Sequence, residues 1–595
     1  MMAETNTTAL EIMAPPTSSP EAAMPLASAL RDAIAAAQAV SFGFHGTLFQ
    51  RATTPEAVFN TLARRFAQPG FAAQRKAAQA EAFDRARKAG RREVTLAGIY
   101  DCMVLDSALA QAMQAAEIAL ELDLLCPDIV AFDAFRHALA QGRRVLIIAD
   151  SHLGRAFVRE ALGRHGLESV ALFISGDCNL TAGRDGDLFD LAIDYLEVPR
   201  DRILHIGGDI AQARSRGLAT IYYQGHDQGD GRSVGSAISA SATLPAGTLS
   251  AHDLGYHVAG PAAVGFLNWM EGQAKLNDVQ HVLFHSHDGH LLDRIVRENP
   301  GAWTLPPCSL LPGSGTAFAL ATIDDQNFPQ HLPFLTAGSD GLAPFEVLER
   351  IGVPAPAPEV MERYDLGDEV ELSPATQARL RGFLFEYRFE ILKICRRNRR
   401  ALFDQMRRLG LEQDAPVALV DLGWEGATQE ALEVALRGIV NLDIHGYSFC
   451  LADTEESRRR QRARQMAALF SVNSVAPSIL RRLHMNRTSV GLLFSAPHNP
   501  IIGMESMTGG VRGIEDMRWA GDGARPLAVS AIVEGAVAFA HEHVVGRGGN
   551  SRPALPPLEM AWSLVELLDR PAPLSDAFRT LANFDPWTAS LNRRA

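Results

Sequence analysis

His285, His287, Asp288 and His290 fall within the six residues 285–290. Neutral imidazoles at that spacing, on a loop between an apolar run and a helical pattern, could hold zinc and activate a water for hydrolysis. The same residues also suit a polar, solvent-facing turn. A second group follows Val417-Ala418-Leu419-Val420, where Asp421, Gly423, Trp424, Glu425, Gly426 and Thr428 form a glycine-containing loop that runs into another helical pattern. Strand, glycine loop and helix aim backbone N–H groups and the positive end of a helix dipole at an anion. Asp288, Gly289, Asp421, Gly423, Glu425, Gly426 and Thr428 are therefore the candidate ligand-binding residues. Trp424 could stack on a sugar ring or serve as a packing aromatic. A third group, Gly43-Phe44-His45-Gly46-Thr47, closes the apolar run Val40-Ser41-Phe42.

The elements that must position these groups alternate in kind. Val145-Leu146-Ile147-Ile148, Val170 to Ile174, Ile203 to Ile206 and Ala219 to Tyr223 are short β-rich runs separated by helical spacing. That alternation predicts an α/β fold with a parallel sheet covered on both faces. Residues 1–35, rich in Ala, Pro, Ser and Thr, have little to bury and read as a disordered leader. The first α/β domain spans 36–230, with a helical cap inserted at about 52–140 where apolar residues recur at three- and four-residue spacing. A Gly/Ser-rich linker at 231–252 precedes a second α/β domain at 253–478, and 479–595 reads as a helical C-terminal region.

The composition excludes several functions. Lys and Arg number 56 against 69 Asp and Glu, a net charge of −13, which argues against a nucleic-acid binder. The six cysteines show no CxxC pairing and fit reduced thiols in a cytoplasmic protein. No run of about 18 apolar residues stands out, so no transmembrane segment is expected. Two basic runs, Arg396 to Arg400 and Arg458 to Arg464, could dock anionic head groups as a peripheral membrane contact. Solvated helix faces paired with local Glu are the commoner arrangement.

The stretch Ser41 to Phe49 resembles the first motif of the haloacid dehalogenase (HAD) superfamily. Together with Glu121 to Leu153, Gly183 to Ile206, Gly255 to Trp269, Phe284 to Gly289 and Val420 to Gln429, it is similar to a multidomain HAD-like group found with bacterial surface-polysaccharide biosynthesis genes. The resemblance implies a Rossmannoid sheet with a helical cap, a second α/β domain, and partners that are glycan-assembly proteins or a phosphosugar or other anionic ligand. It also implies a nucleophilic Asp, an acid/base Asp, a Ser or Thr, a Lys and a Mg²⁺-binding Asp. In this chain Gly43, His45, Ala149 (before Asp150), Gly183 (beside Arg184) and Gly208 (beside Asp209) stand there, while Thr47 keeps its place. A glycine can neither attack phosphorus nor ligate a hard cation. Loss of a set that acts as a unit predicts a degenerate domain without Mg²⁺. The alternatives are His45 acting as a phosphohistidine nucleophile, a sugar-phosphate hydrolase or transferase site in the second domain, and a zinc hydrolase at His285, His287 and His290. The second domain also has Phe284-His285-Ser286-His287-Asp288-Gly289 and Ser314-Gly315-Thr316-Ala317 where the relatives carry arginine-containing segments, which weakens phosphosugar recognition.

Overall fold

A computed structural model describes residues 29–51, 54–167, 170–208, 210–223, 244, 247–367, 369–519, 523–547, 555–570, 574–575, 578–579, 581 and 587. The chain divides into two units, one of residues 1–240 with 473–476 and 550–556, the other of 241–472 with 477–549 and 557–595.

In the first unit the apolar runs become strands β1 (Ala39–Gly43), β4 (Arg144–Ala149), β5 (Ala171–Ile174), β6 (Ile203–Gly207) and β7 (Ala219–Tyr222). They form one sheet in the order β5-β4-β1-β6-β7, and every pairing is parallel. The side chains of β1 alternate between two cores. Val40 and Phe42 pack with Phe135, Ile147 and Leu120 on one face, and Ala39 packs with Leu146, Leu188 and Phe189 on the other. Burial on both faces is why these strands read as continuous apolar runs. A short antiparallel pair, β2 (Phe49–Arg51) with β3 (Leu125–Pro127), ties the segment after β1 to the far end of the cap. The cap helices Pro55–Arg65, Phe71–Lys88, Leu96–Tyr100 and Ser107–Asp123 lie between these strands. Thr54 and Asp106 start two of them by accepting hydrogen bonds from first-turn N–H groups.

Two expected boundaries move. Residues 29–36 are helical, and Leu30 and Ile34, four residues apart on one helix face, are 1% and 0% exposed in the core. The leader therefore stops short of 35, and residues 1–28 lie outside the described residues. Most of the expected 231–252 linker also lies outside them, but its end is structured: Leu249 is buried and Ser250 forms a capping box for helix Ala251–Leu254.

The second unit holds β8 (His281–His285), β9 (Cys308–Leu311), β10 (Pro416–Trp424), β11 (Asp443–Leu451) and β12 (Met466–Phe470). Their order is β12-β11-β10-β8-β9, again parallel throughout. The C-terminal region from about 479 is largely helical and packs as part of the second unit. Helices Pro477–Met485, Arg487–Phe494 and Ala524–Arg547 and the hairpin Ile501–Met507/Gly510–Glu515 belong to this unit. The stretch Ala524–Val544 is long and apolar enough to cross a membrane by length and composition. Here it is a packing helix: Val529, Ile532, Val533, Ala536 and Ala540 are fully buried, and Gly255 and Gly535 leave no room for a Cβ against the facing backbone.

Candidate functional sites

In open parallel sheets ligands bind outside the carboxyl ends of the strands where the strand order reverses. The first sheet reverses between β1 and β6, and there a cavity of about 370 Å³ is lined by Gly43 to Thr47, Ile148, Ala149, Asp150, Ala182, Phe189, His205, Gly208 and Tyr222. Gly43, His45, Thr47, Ala149, Asp150 and Gly208 thus line one cavity. A Cβ on Gly43 would lie 2.7 Å from Thr47 Oγ1. Asp150 accepts hydrogen bonds from the N–H groups of Ala182 and Gly183, both 2.8 Å. Arg184 faces Glu93 and Asp185 rather than lining the cavity. Gly208 has open space around its Cα, and Asp209 lies outside the described residues.

Both histidines of this crevice are neutral at pH 7. The ring of His45 is exposed at the crevice mouth, yet the surrounding protein, then Arg51 and His152, pull it below the ordinary imidazole value. Burial takes His205 down to about 4. His205 is paired 2.9 Å from Ser41 Oγ and packs edge-on against Phe189. Beside the crevice the cap carries a buried polar network. Arg75 and Glu117, 0% and 1% exposed, are ion-paired at 2.8 Å, and Tyr100 donates to Glu117. Arg75 also reaches His152 Nε2 at 3.3 Å, and Arg51 pairs with Glu121 at 2.9 Å.

The second sheet has the order 2-1-3-4-5 in its own strand numbering, and it reverses between β8 and β10. The loops singled out in the sequence follow those two strands. His285 ends β8 with its side chain 6% exposed, and neither of its ring nitrogens has a hydrogen-bond partner. Its Nδ1 is 3.8 Å from Asp288, too far for a hydrogen bond. Asp421, inside β10, accepts from Ser448 Oγ at 3.0 Å. Burial, with Asp288 adding repulsion, raises Asp421 to about 6 even though His285 and hydrogen bonds from Ser448 and Thr428 favour its ionised form. Burial raises Asp288 to about 6 as well, with Arg525 opposing the shift. Arg525 also approaches Ser495 Oγ at 3.2 Å and His287 Nε2 at 3.5 Å.

Asp288, Asp421 and Thr428 therefore meet in one place. Glu425 does not join them, because it accepts from Thr454 and faces Arg460. Gly423 and Gly426 serve the turn: both have positive φ, and Ser448 leaves no room for a Cβ on Gly423. Gly289 packs its Cα against the His285 backbone at the helix start. Trp424 also has positive φ and stacks on His484. His285 sits by Asp421 and Phe318, while His287 and His290 both face His498, with ring centroids 5.8 and 6.5 Å away, and His287 also faces Ser495 and Arg525. Among the described residues no three His, Cys, Asp or Glu side chains form a metal-holding group. The basic run 458–464 is spent on local acids, Arg459, Arg460 and Arg464 all pairing with Glu430.

Sequence reasoning missed Arg525, Ser495 and Ser448, and in the first unit Ser41, His205, Arg75 and Glu117. Ser41 and His205 did leave a signal, a polar residue inside an otherwise apolar parallel strand. Arg525 left none, since only the fold brings it to Asp288.

No protein-family model and no curated protein matches the sequence. The chain is similar to solved structures of L-2-haloacid dehalogenase from Xanthobacter autotrophicus, at 16% identity and a TM-score of 0.24 over 35% of this chain and 85% of that one. Another L-2-haloacid dehalogenase gives 19%, 0.24, 32% and 85%. A haloacid dehalogenase-like hydrolase from Bacteroides fragilis gives 18%, 0.22, 31% and 86%. TM-scores this low carry no argument of their own. The structure establishes the class: an α/β protein with two all-parallel sheets, each reversing its strand order at one point.

Proposed function

We propose that this chain is a catalytically degenerate HAD-like protein, a binding or scaffolding component of bacterial surface-polysaccharide assembly in the cytoplasm. The pathway and its partner proteins rest on the sequence resemblance. The degeneracy is supported by one observation: Asp150, held by two backbone N–H groups, is the one acid on the described lining of the β1 crevice, and the first-motif position is Gly43, which has no side chain. Phosphoryl transfer needs cationic stabilisation of the phosphoryl oxygens, and no Lys or Arg is on the described lining. The test is hydrolysis of p-nitrophenyl phosphate by the full chain with Mg²⁺. Neither the wild type nor Gly43→Asp should turn over above buffer. Robust wild-type turnover abolished by His45→Ala overturns the proposal.

A second reading, a hydrolase or transferase in the second unit, is favoured by the His285, Asp288 and Asp421 group. A neutral imidazole beside a carboxyl that titrates near 6 can exchange protons at physiological pH. Turnover that survives His45→Ala and is lost in Asp421→Asn selects this reading.

A further inference from the structure

The β1 crevice has kept its volume while losing its charge, and this decides what it can hold. About 370 Å³ lies at the low end of the ~300–1,000 Å³ of small-molecule sites. Asp150 is the one charged side chain on its described lining, and no Lys or Arg is there. Two N–H groups that could cradle an anion, those of Ala182 and Gly183, are already filled by the Asp150 carboxylate. Those of Gly46, Leu48 and Phe49 in the loop after β1 are turned inward, onto the carbonyls of Phe49, Gly43 and Phe44. A phosphate entering here meets a carboxylate and, on the described lining, no cation. A neutral hydroxylated molecule meets the exposed ring of Tyr222 for its C–H face, and His45 and the remaining acceptor capacity of the exposed Asp150 carboxylate for its hydroxyls.

We infer that the β1 crevice binds an uncharged, hydroxyl-rich ligand of monosaccharide size and discriminates against its phosphate ester. This rests on the proposed non-catalytic reading and names the ligand class of that same site. In such a site His45, at the crevice mouth, acts as a neutral hydrogen-bonding group, which gives it a role other than that of a nucleophile.

The experiment is ligand-observed saturation-transfer NMR on the full-length chain with glucose, galactose, mannose and N-acetylglucosamine, each against its 6-phosphate. At least one neutral sugar should show saturation transfer, with its phosphate at least tenfold weaker. Gly208→Phe should abolish the signal, because Gly208 lines the cavity and a Cβ there meets nothing within 4 Å. A circular-dichroism melt of the variant keeps loss of fold distinguishable from loss of site. Absence of transfer from all four sugars, tighter binding of the phosphates, or transfer that persists in a folded Gly208→Phe variant overturns the inference. Hydrolysis of a 6-phosphate that is lost in His45→Ala would instead overturn the non-catalytic reading beneath it.

Discussion

Above β1, the polar groups are paired within the protein: Asp150 with backbone N–H groups, Arg51 with Glu121, Arg75 with Glu117, and His205 with Ser41. Above β8 and β10, they are held in tension, with His285 buried without a hydrogen bond and Asp421 carrying a raised proton affinity beside Asp288. The two crevices occupy the same kind of place in two parallel sheets. The difference teaches that topology supplies a crevice, while satisfied or unsatisfied polar groups decide whether it remains poised for proton chemistry.

The largest expected effect tests whether the charges beside the first crevice are structural. Arg75→Met or Glu117→Leu alone leaves a buried charge without its partner and should cost about 3–5 kcal/mol in urea unfolding. The double variant should recover most of that loss. Equal losses in single and double variants would show that shape rather than charge compensation matters there.

Next come opposite pH slopes. Asp421 is raised from 3.8 to about 6 in the folded chain, so the folded state binds the extra proton and stability falls as pH rises between those values. His205 is lowered from 6.5 to about 4, so the unfolded state binds the extra proton and stability falls as pH drops through that range. Asp421→Asn should flatten the first slope and His205→Asn the second, each on the order of 1–3 kcal/mol in thermal melts taken at several pH values. Unchanged slopes in both variants would erase the electrostatic contrast between the crevices.

A smaller effect concerns the first-motif glycine. Gly43→Ala should cost about 1–2 kcal/mol by pressing on Thr47, and Thr47→Ala in the same chain should recover part of it. The smallest is His285→Leu. Because the imidazole gives up no hydrogen bond, its replacement by an apolar side chain should leave stability within about 1 kcal/mol of wild type or raise it. A loss of several kcal/mol would mean the ring is satisfied in solution.

The sequence made much of this fold legible because parallel strands are buried on both faces. The runs at 145–148, 170–174, 203–206, 219–223, 282–284 and 417–421 were readable and all fall on or against strands. β9, whose residues are half-buried apart from Leu311, gave a weaker apolar signal, and β2 and β3 are only three residues each. The helix at 29–36 was hidden in an alanine-rich stretch, where only Leu30 and Ile34 mark the buried face. The convergence of Asp288 with Asp421 and Thr428 could be anticipated, because neighbouring parallel strands present their following loops at one edge. Arg525 and the Arg75–Glu117 pair could not, since long-range charge pairing leaves no periodicity in the chain.

The most direct test of the non-catalytic β1 crevice is intact-mass analysis of the full-length chain after incubation with acetyl phosphate and Mg²⁺, followed by peptide mapping. An unphosphorylated segment from Val40 to Phe49 is the expected result. A phosphoryl adduct on His45 or elsewhere in that segment would contradict the account.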